Sequence, residues 1–181
     1  MKQAIRIART ELQLLFYSPI AWLILIVFTI QASIVFTGTL EWFVQSLGLG
    51  NKLQGVTLQL YTDPWMGFYA KLLEYLYFYI PLLTMGMMSR ELSSGSIKLL
   101  YSSPISDVQI IFGKFMSIAA YGLLMRGIVF IFTLYGAFVI DNFDFPATLT
   151  GLLGIFLLIC AYGAVGLFMS SLTSYQVVAA I

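Results

Sequence analysis

Hydrophobic residues run through this chain in blocks of roughly twenty, the length of a membrane span, with polar positions gathered into short stretches between them. The opening residues differ. There Ile5, Ala8, Leu12, Leu15 and Phe16 fall on one face of a helix, and Lys2, Arg6, Arg9 and Gln13 on the other. Such a helix lies in a membrane interface with its basic groups toward the headgroups. Ser18-Pro19 ends it, because proline lacks an N–H and restricts the residue before it. Residues 1–18 are therefore expected to form an interfacial elbow helix.

Ile20 to Leu40 follows without a charge, and at about 1.5 Å per residue it can cross a hydrocarbon core of about 30 Å. Trp22 and Trp42 bracket it, as interfacial aromatics do. A mixed loop over 41–64 holds Gly48, Gly50, Asn51 and Gly55. A second span, 65–88, is rich in aromatics and contains Pro81; Lys71 and Glu74 stand three apart near its outer end, spaced to pair on one helical face. Beyond the polar stretch 89–114, a third span covers 115–140 and ends in the turn Asp141-Asn142-Phe143-Asp144-Phe145-Pro146. A fourth covers 147–169, where Gly163, Gly166 and Ser170 are spaced for close helix contact. Residues 177–181 read as the first turn of a fifth span, so the chain is expected to be part of a longer protein. The expected fold is an all-α polytopic membrane protein in a single transmembrane domain.

Composition agrees with the pattern. Hydrophobic residues make up 60% and charged residues 9%, against about 45–50% and about 25% in soluble domains. A net charge of +1 implies no bulk attraction to nucleic acid. There is no histidine, which removes the commonest general base and metal ligand. Cys160 stands alone and reads as a small packing residue. No enzyme activity, metal or cofactor is expected of this chain.

Basic residues orient it. Lys2, Arg6 and Arg9 precede the first span, and Arg90, Lys98 and Lys114 return to the same side after two spans. The other side has only Lys52 and Lys71, and the 141–146 turn carries acids alone. The N-terminus and 89–114 are thus expected in the cytoplasm, with 41–64 outside. Arg126, midway along the third span, is a costly charge that must face protein or a water-filled cavity. It is expected either to bond carbonyls or a polar group of the bundle, or to line a polar path.

The stretch from Ser89 to Asp107 reads SRELSSGSIKLLYSSPISD. Gly95 ends a helix or starts a turn. Ser94 or Ser96 can cap a short helix carrying Ile97, Leu99, Leu100 and Tyr101. Ser103-Pro104 ends it, and Ser106 caps the next, with Asp107 in its first turn. A plain connection could be far shorter. The pattern places a short amphipathic helix between two breaks at the membrane surface.

This run resembles the cytoplasmic loop of ABC-2 type permeases, the membrane subunits of certain ABC transporters. The matching positions are Glu91, Gly95-Ser96, Leu99-Leu100, Ser103-Pro104-Ile105-Ser106 and Gly113-Lys114. Lys98 departs from the pattern, since the family often has an acid there. The elbow, the span order and the closing SSLTSYQVVAA are similar too, most of all to the gliding-motility (Gldg-like) permeases. The resemblance implies a six-span permease of a bacterial inner membrane, two permease units working with two cytoplasmic ATP-binding subunits, and outward transport. It implies that Gly95 to Ser103 is a coupling helix seated on the ATPase. The chain itself has no GxxxxGK[ST] phosphate loop. Two other readings remain open on the residues alone: a transporter or channel without an ATPase, with Arg126 lining its path, and a membrane scaffold that docks another cytoplasmic protein.

Overall fold

The computed structural model describes residues 2–48, 55–95, 106–140 and 142–172. Among these, every regular element is helical. Helix α1 (Lys2–Tyr17) gives way at Ser18 to α2 (Pro19–Gly48). Pro19 stands first in α2, where its missing N–H would have had no helical partner anyway. The α2 helix runs on through Glu41 to Gly48, so 41–48 is helix where the sequence suggested loop. Nothing from Glu41 to Ser46 breaks a helix, and Phe43 and Ser46 are buried. The end of the charge-free run is not the end of the helix.

A π-helical turn, Leu58–Thr62, precedes α3 (Phe68–Thr84) and the six-residue α4 (Ser89–Ser94). Two long helices complete the described residues, α5 (Asp107–Val139) and α6 (Phe145–Leu172). Among the described residues, three stretches are long and apolar enough to cross a membrane: Pro19–Ser46 within α2, α5 and α6. Their outer faces carry exposed apolar residues such as Ile30, Ile34, Phe138, Leu157 and Phe168, as lipid contact requires. Helix α3 has 17 residues, which at about 1.5 Å each gives about 25 Å, less than a full hydrocarbon core.

The helices pack as two compact units. The first comprises Met1–Ile24, Tyr77–Leu123 and Leu158–Ile181. Its core includes Met87, Met88, Ile118 and Leu167, with Leu15 and Phe115 against them. On α1 the buried positions are Ala4 and Ala8, with half-buried Ile7 and Glu11 beside them, whereas Ile5 is exposed. Of the face the apolar pattern marked, Ala8 is buried and Leu12, Leu15 and Phe16 are half-buried; the packed face reaches beyond it to Ala4, Ile7 and the Glu11 carboxylate. On α6, a Cβ at Gly163 would stand 2.6 Å from Ile118 Cγ2, and one at Gly166 2.1 Å from Thr84 Oγ1. The small-residue run is thus a helix-packing seam.

The second unit comprises Leu25–Leu76 and Leu124–Leu157. Aromatic rings fill it: Phe36, Tyr61, Phe68 and Phe132 meet mostly edge-on or tilted. Tyr61, on the π-helical turn, is fully buried and donates to the Phe132 carbonyl at 3.0 Å. Burial pushes its phenol above the usual tyrosine range, so it remains a donor. Gly136 makes room for that ring: a Cβ there would stand 2.1 Å from the Tyr61 hydroxyl. Asp63 Oδ1 accepts from the Trp65 and Met66 amides, both at 2.8 Å, and Asp144 caps α6 by accepting from the Ala147 amide at 3.1 Å. Lys71 and Glu74 do not form the ion pair their spacing suggested; Glu74 is exposed. Such a pair is worth only about 0.2–0.5 kcal/mol, too little to order two long side chains.

Candidate functional site

Gly113 and Lys114 stand two turns into α5, where α1 crosses it. A Cβ on Gly113 would lie 2.7 Å from Ile7 Cγ2 and 3.0 Å from the Ala4 carbonyl oxygen, so only glycine lets α1 come this close. The approach brings Glu11 of α1 to Lys114. The lysine side chain is 1% exposed. Its Nζ donates to Glu11 Oε1 at 2.6 Å, to Glu91 Oε1 at 2.7 Å and to the Met87 carbonyl at 2.9 Å. All three ammonium donors are therefore used. A buried charge is tolerated only when paired and hydrogen-bonded, and here two carboxylates, 15% and 24% exposed, share one cation. The node joins α1, the turn before α4, α4 itself and α5.

A second set of bonds holds the break between α3 and α4. Ser170 Oγ, from α6, accepts from the amides of Met88 and Ser89 at 3.1 and 3.2 Å and donates to the Met85 carbonyl at 3.0 Å. Ser89 Oγ also donates to the Met85 carbonyl. These amides open α4 and have no acceptor within it. Replacing Ser170 with alanine is expected to cost about 1–3 kcal/mol, because it strands buried N–H groups. The same change at exposed Ser171, which bonds only its own helix at Phe168, should leave the melting temperature in detergent unchanged.

Helix α4 ends at Gly95, whose left-handed backbone (φ 71°, ψ 2°) directs its N–H to the Leu92 carbonyl at 3.3 Å. Helix α5 starts after Ser106, whose carbonyl accepts from the Gln109 and Ile110 amides at 2.9 and 3.2 Å. Of the residues expected to contact a partner, the structure thus places Glu91, Gly95 and Ser106 on the two margins of the polar stretch. Ser96, Leu99, Leu100, Ser103 and Pro104 lie outside the described residues. Glu91 and Lys114, either side of that stretch, are joined directly.

Across residues 5–181 the chain matches the model of the ABC-2 family transporter proteins. It belongs to the ABC-2 family. No curated protein and no solved structure matches it. This ABC-2 protein is a multi-pass membrane permease component, and the family works with a cytoplasmic ATP-binding subunit.

The permease carries Arg126 half-buried in α5, its guanidinium 6.0 Å from the centroid of the Phe156 ring. Among the described residues it makes no hydrogen bond to a carbonyl and no ion pair; an aromatic face takes that place. Also among the described residues, no cluster of His, Cys, Asp or Glu could hold a metal ion. Sequence reasoning did not single out Glu11, and it took Lys114 as one of several basic residues and as half of the matching Gly113-Lys114 pair, without a partner. Glu11 did carry a signal: on a helix whose other charges are basic, it lies at the 4–8–11–15 spacing of the packed face.

Proposed function

We propose that this permease couples ATP hydrolysis on a separate cytoplasmic subunit to export across a bacterial inner membrane, and that 89–114 is where the two subunits meet. In this reading α1 is an elbow on the cytoplasmic surface. The spans are 20–40, 65–88, 115–140 and 147–169, with a fifth beginning at 177 and 41–64 lying outside. A second permease unit, the same or homologous, completes the membrane part. Glu91, Gly95, Ser96, Leu99, Leu100, Ser103, Pro104 and Ser106 form or frame the docking surface. Membership of the family favours this over a transporter without an ATPase or a scaffold, and the gliding-motility group is the subgroup its motifs suggest. Arg126, which makes no ion pair among the described residues, is the residue within the spans for an anionic part of the cargo to meet.

The observation that carries the reading is the Lys114 node. A segment with loose ends absorbs a push from its partner, whereas one pinned at both ends passes it on. Lys114 pins the far end of 89–114 to Glu91 at the near end and to α1 at once. Closure of the ATPase would then shift the helices flanking the segment as one element between two states. The docking claim is tested by co-purifying the tagged permease with its ATP-binding subunit. Leu99→Asp and Pro104→Gly are each expected to lose the complex while the permease stays monodisperse. Retention of the complex and of its ATPase activity in both variants rejects the docking segment.

A further inference from the structure

Lys71 and Glu74 stand in the first two turns of α3, within the second unit. At about 1.5 Å per residue they lie about 5 Å and about 9 Å past Phe68. Lys71 is half-buried and Glu74 exposed, and neither forms an ion pair among the described residues. Lysine ahead of glutamate is the less favourable order for a pair within one helix. On the opposite side of the same turns, Phe68, Tyr69, Leu72 and Leu76 are buried in the chain's own core. The charged face is therefore the one that these turns present outward. Where α3 crosses the membrane, an open carboxylate at that depth is costly unless protein or water meets it.

We propose that this face docks on the same face of a second copy of the chain, with Lys71 of each copy paired to Glu74 of the other. The proposal rests on the reading that a second permease unit completes the membrane part, and it makes that unit the same chain. The geometry is self-complementary. Three residues advance a helix by about 300° and about 4.5 Å, so Lys71 and Glu74 are about 60° apart around α3. A face centred between them carries the cation on one flank and the carboxylate on the other. A two-fold axis along the membrane normal sets two such faces together with their flanks exchanged, because residue i of one copy meets residue j of the other and j meets i. Each lysine then faces the other copy's carboxylate, across a step of about 4.5 Å that the flexible lysine stem spans. Both charges of each copy are answered at once. A cationic or an anionic cargo would answer one and leave the other open.

The test co-expresses two differently tagged copies of the full chain with the ATP-binding subunit, captures one tag in detergent and measures recovery of the other. Lys71→Glu in both copies sets four carboxylates together, and Glu74→Lys in both sets four ammoniums together. Each is expected to lower recovery roughly tenfold, the effect of two partly covered ion pairs turned repulsive. Lys71→Glu in one copy with Glu74→Lys in the other restores opposite charges at both contacts, and recovery should return to the wild-type level. That return also shows both variants to be folded. Like-charged pairs recovered as well as wild type overturn the proposal. So does a mixed pair recovered as poorly as the like-charged ones, since the two residues then act within their own chain. Wild-type copies that do not capture each other overturn it too, while retention of the ATP-binding subunit on the same resin leaves the permease reading standing.

Discussion

Lys114→Met is expected to destabilise the permease by about 3 kcal/mol, the lower end of the range for breaking a buried ion pair. The direction follows from what remains. Methionine fills most of the lysine volume, so little packing is lost. Glu11 and Glu91 are left facing each other with the shared cation gone, and the Met87 carbonyl loses its donor. Their exposures of 15% and 24% let water relieve part of that repulsion, which is why the lower end applies. Neutralising the acids as well should reverse most of the loss. The triple variant Glu11→Gln, Glu91→Gln, Lys114→Met removes all three charges of the node, and a buried ionic cluster replaced by neutral groups is often no less stable. Thermal melting in one detergent orders the three proteins: wild type and triple variant close together, Lys114→Met well below. If Lys114→Met alone melts with wild type, the node does not hold these helices.

Gly166→Val is the second change with a large expected effect. The built Cβ meets Thr84 Oγ1 at 2.1 Å and Thr84 Cβ at 3.1 Å. Thr84 cannot swing away cheaply: it is fully buried, β-branched and bonded to the Ile80 carbonyl at 3.0 Å. The helices must separate, and one turn along α6 that movement withdraws Ser170 from the α3–α4 break. Overpacking costs about 1–3 kcal/mol, and stranding the Met88 and Ser89 amides adds about 1–3 kcal/mol more. The permease should fail to give a monodisperse peak at temperatures where Gly154→Val, at a glycine with nothing near its missing side chain, behaves as wild type. Equal behaviour of the two valine variants would remove the seam from the account.

Much of the architecture could be read from the chain. Three apolar runs became α2, α5 and α6, Ser18-Pro19 separated α1 from α2, and Gly95 took the left-handed position expected of it. The small residues of the last helix turned out to be contact points, because their spacing is a local property of one helix. Contacts between distant segments could not be read the same way. Lys114 meets Glu11 across 103 positions and Glu91 across 23, and periodicity carries no register between separate helices. The same limit applies to Tyr61, which reaches the Phe132 carbonyl across 71 positions from a segment that looked like loop. Hydrophobic pattern also left Glu11 out of the packed face of α1. It ranks a carboxylate as outward, while a buried lysine makes that carboxylate an inward group. Arg126 was recognisable as costly, but its neighbour, the Phe156 ring, was not.

The central claim is that Lys114 locks the two margins of the 89–114 segment together, so that the segment transmits motion to the helices. Spin labels at Ser93 and Val108, both exposed and on opposite margins, report this directly in the assembled complex with its ATP-binding subunit. With the native lysine, the account predicts one narrow distance distribution that is the same without nucleotide and with ATP. In the folded triple variant it predicts a broad distribution that shifts with ATP. A distance that shifts with ATP in the native permease, or a triple variant as narrow as the native one, contradicts the claim.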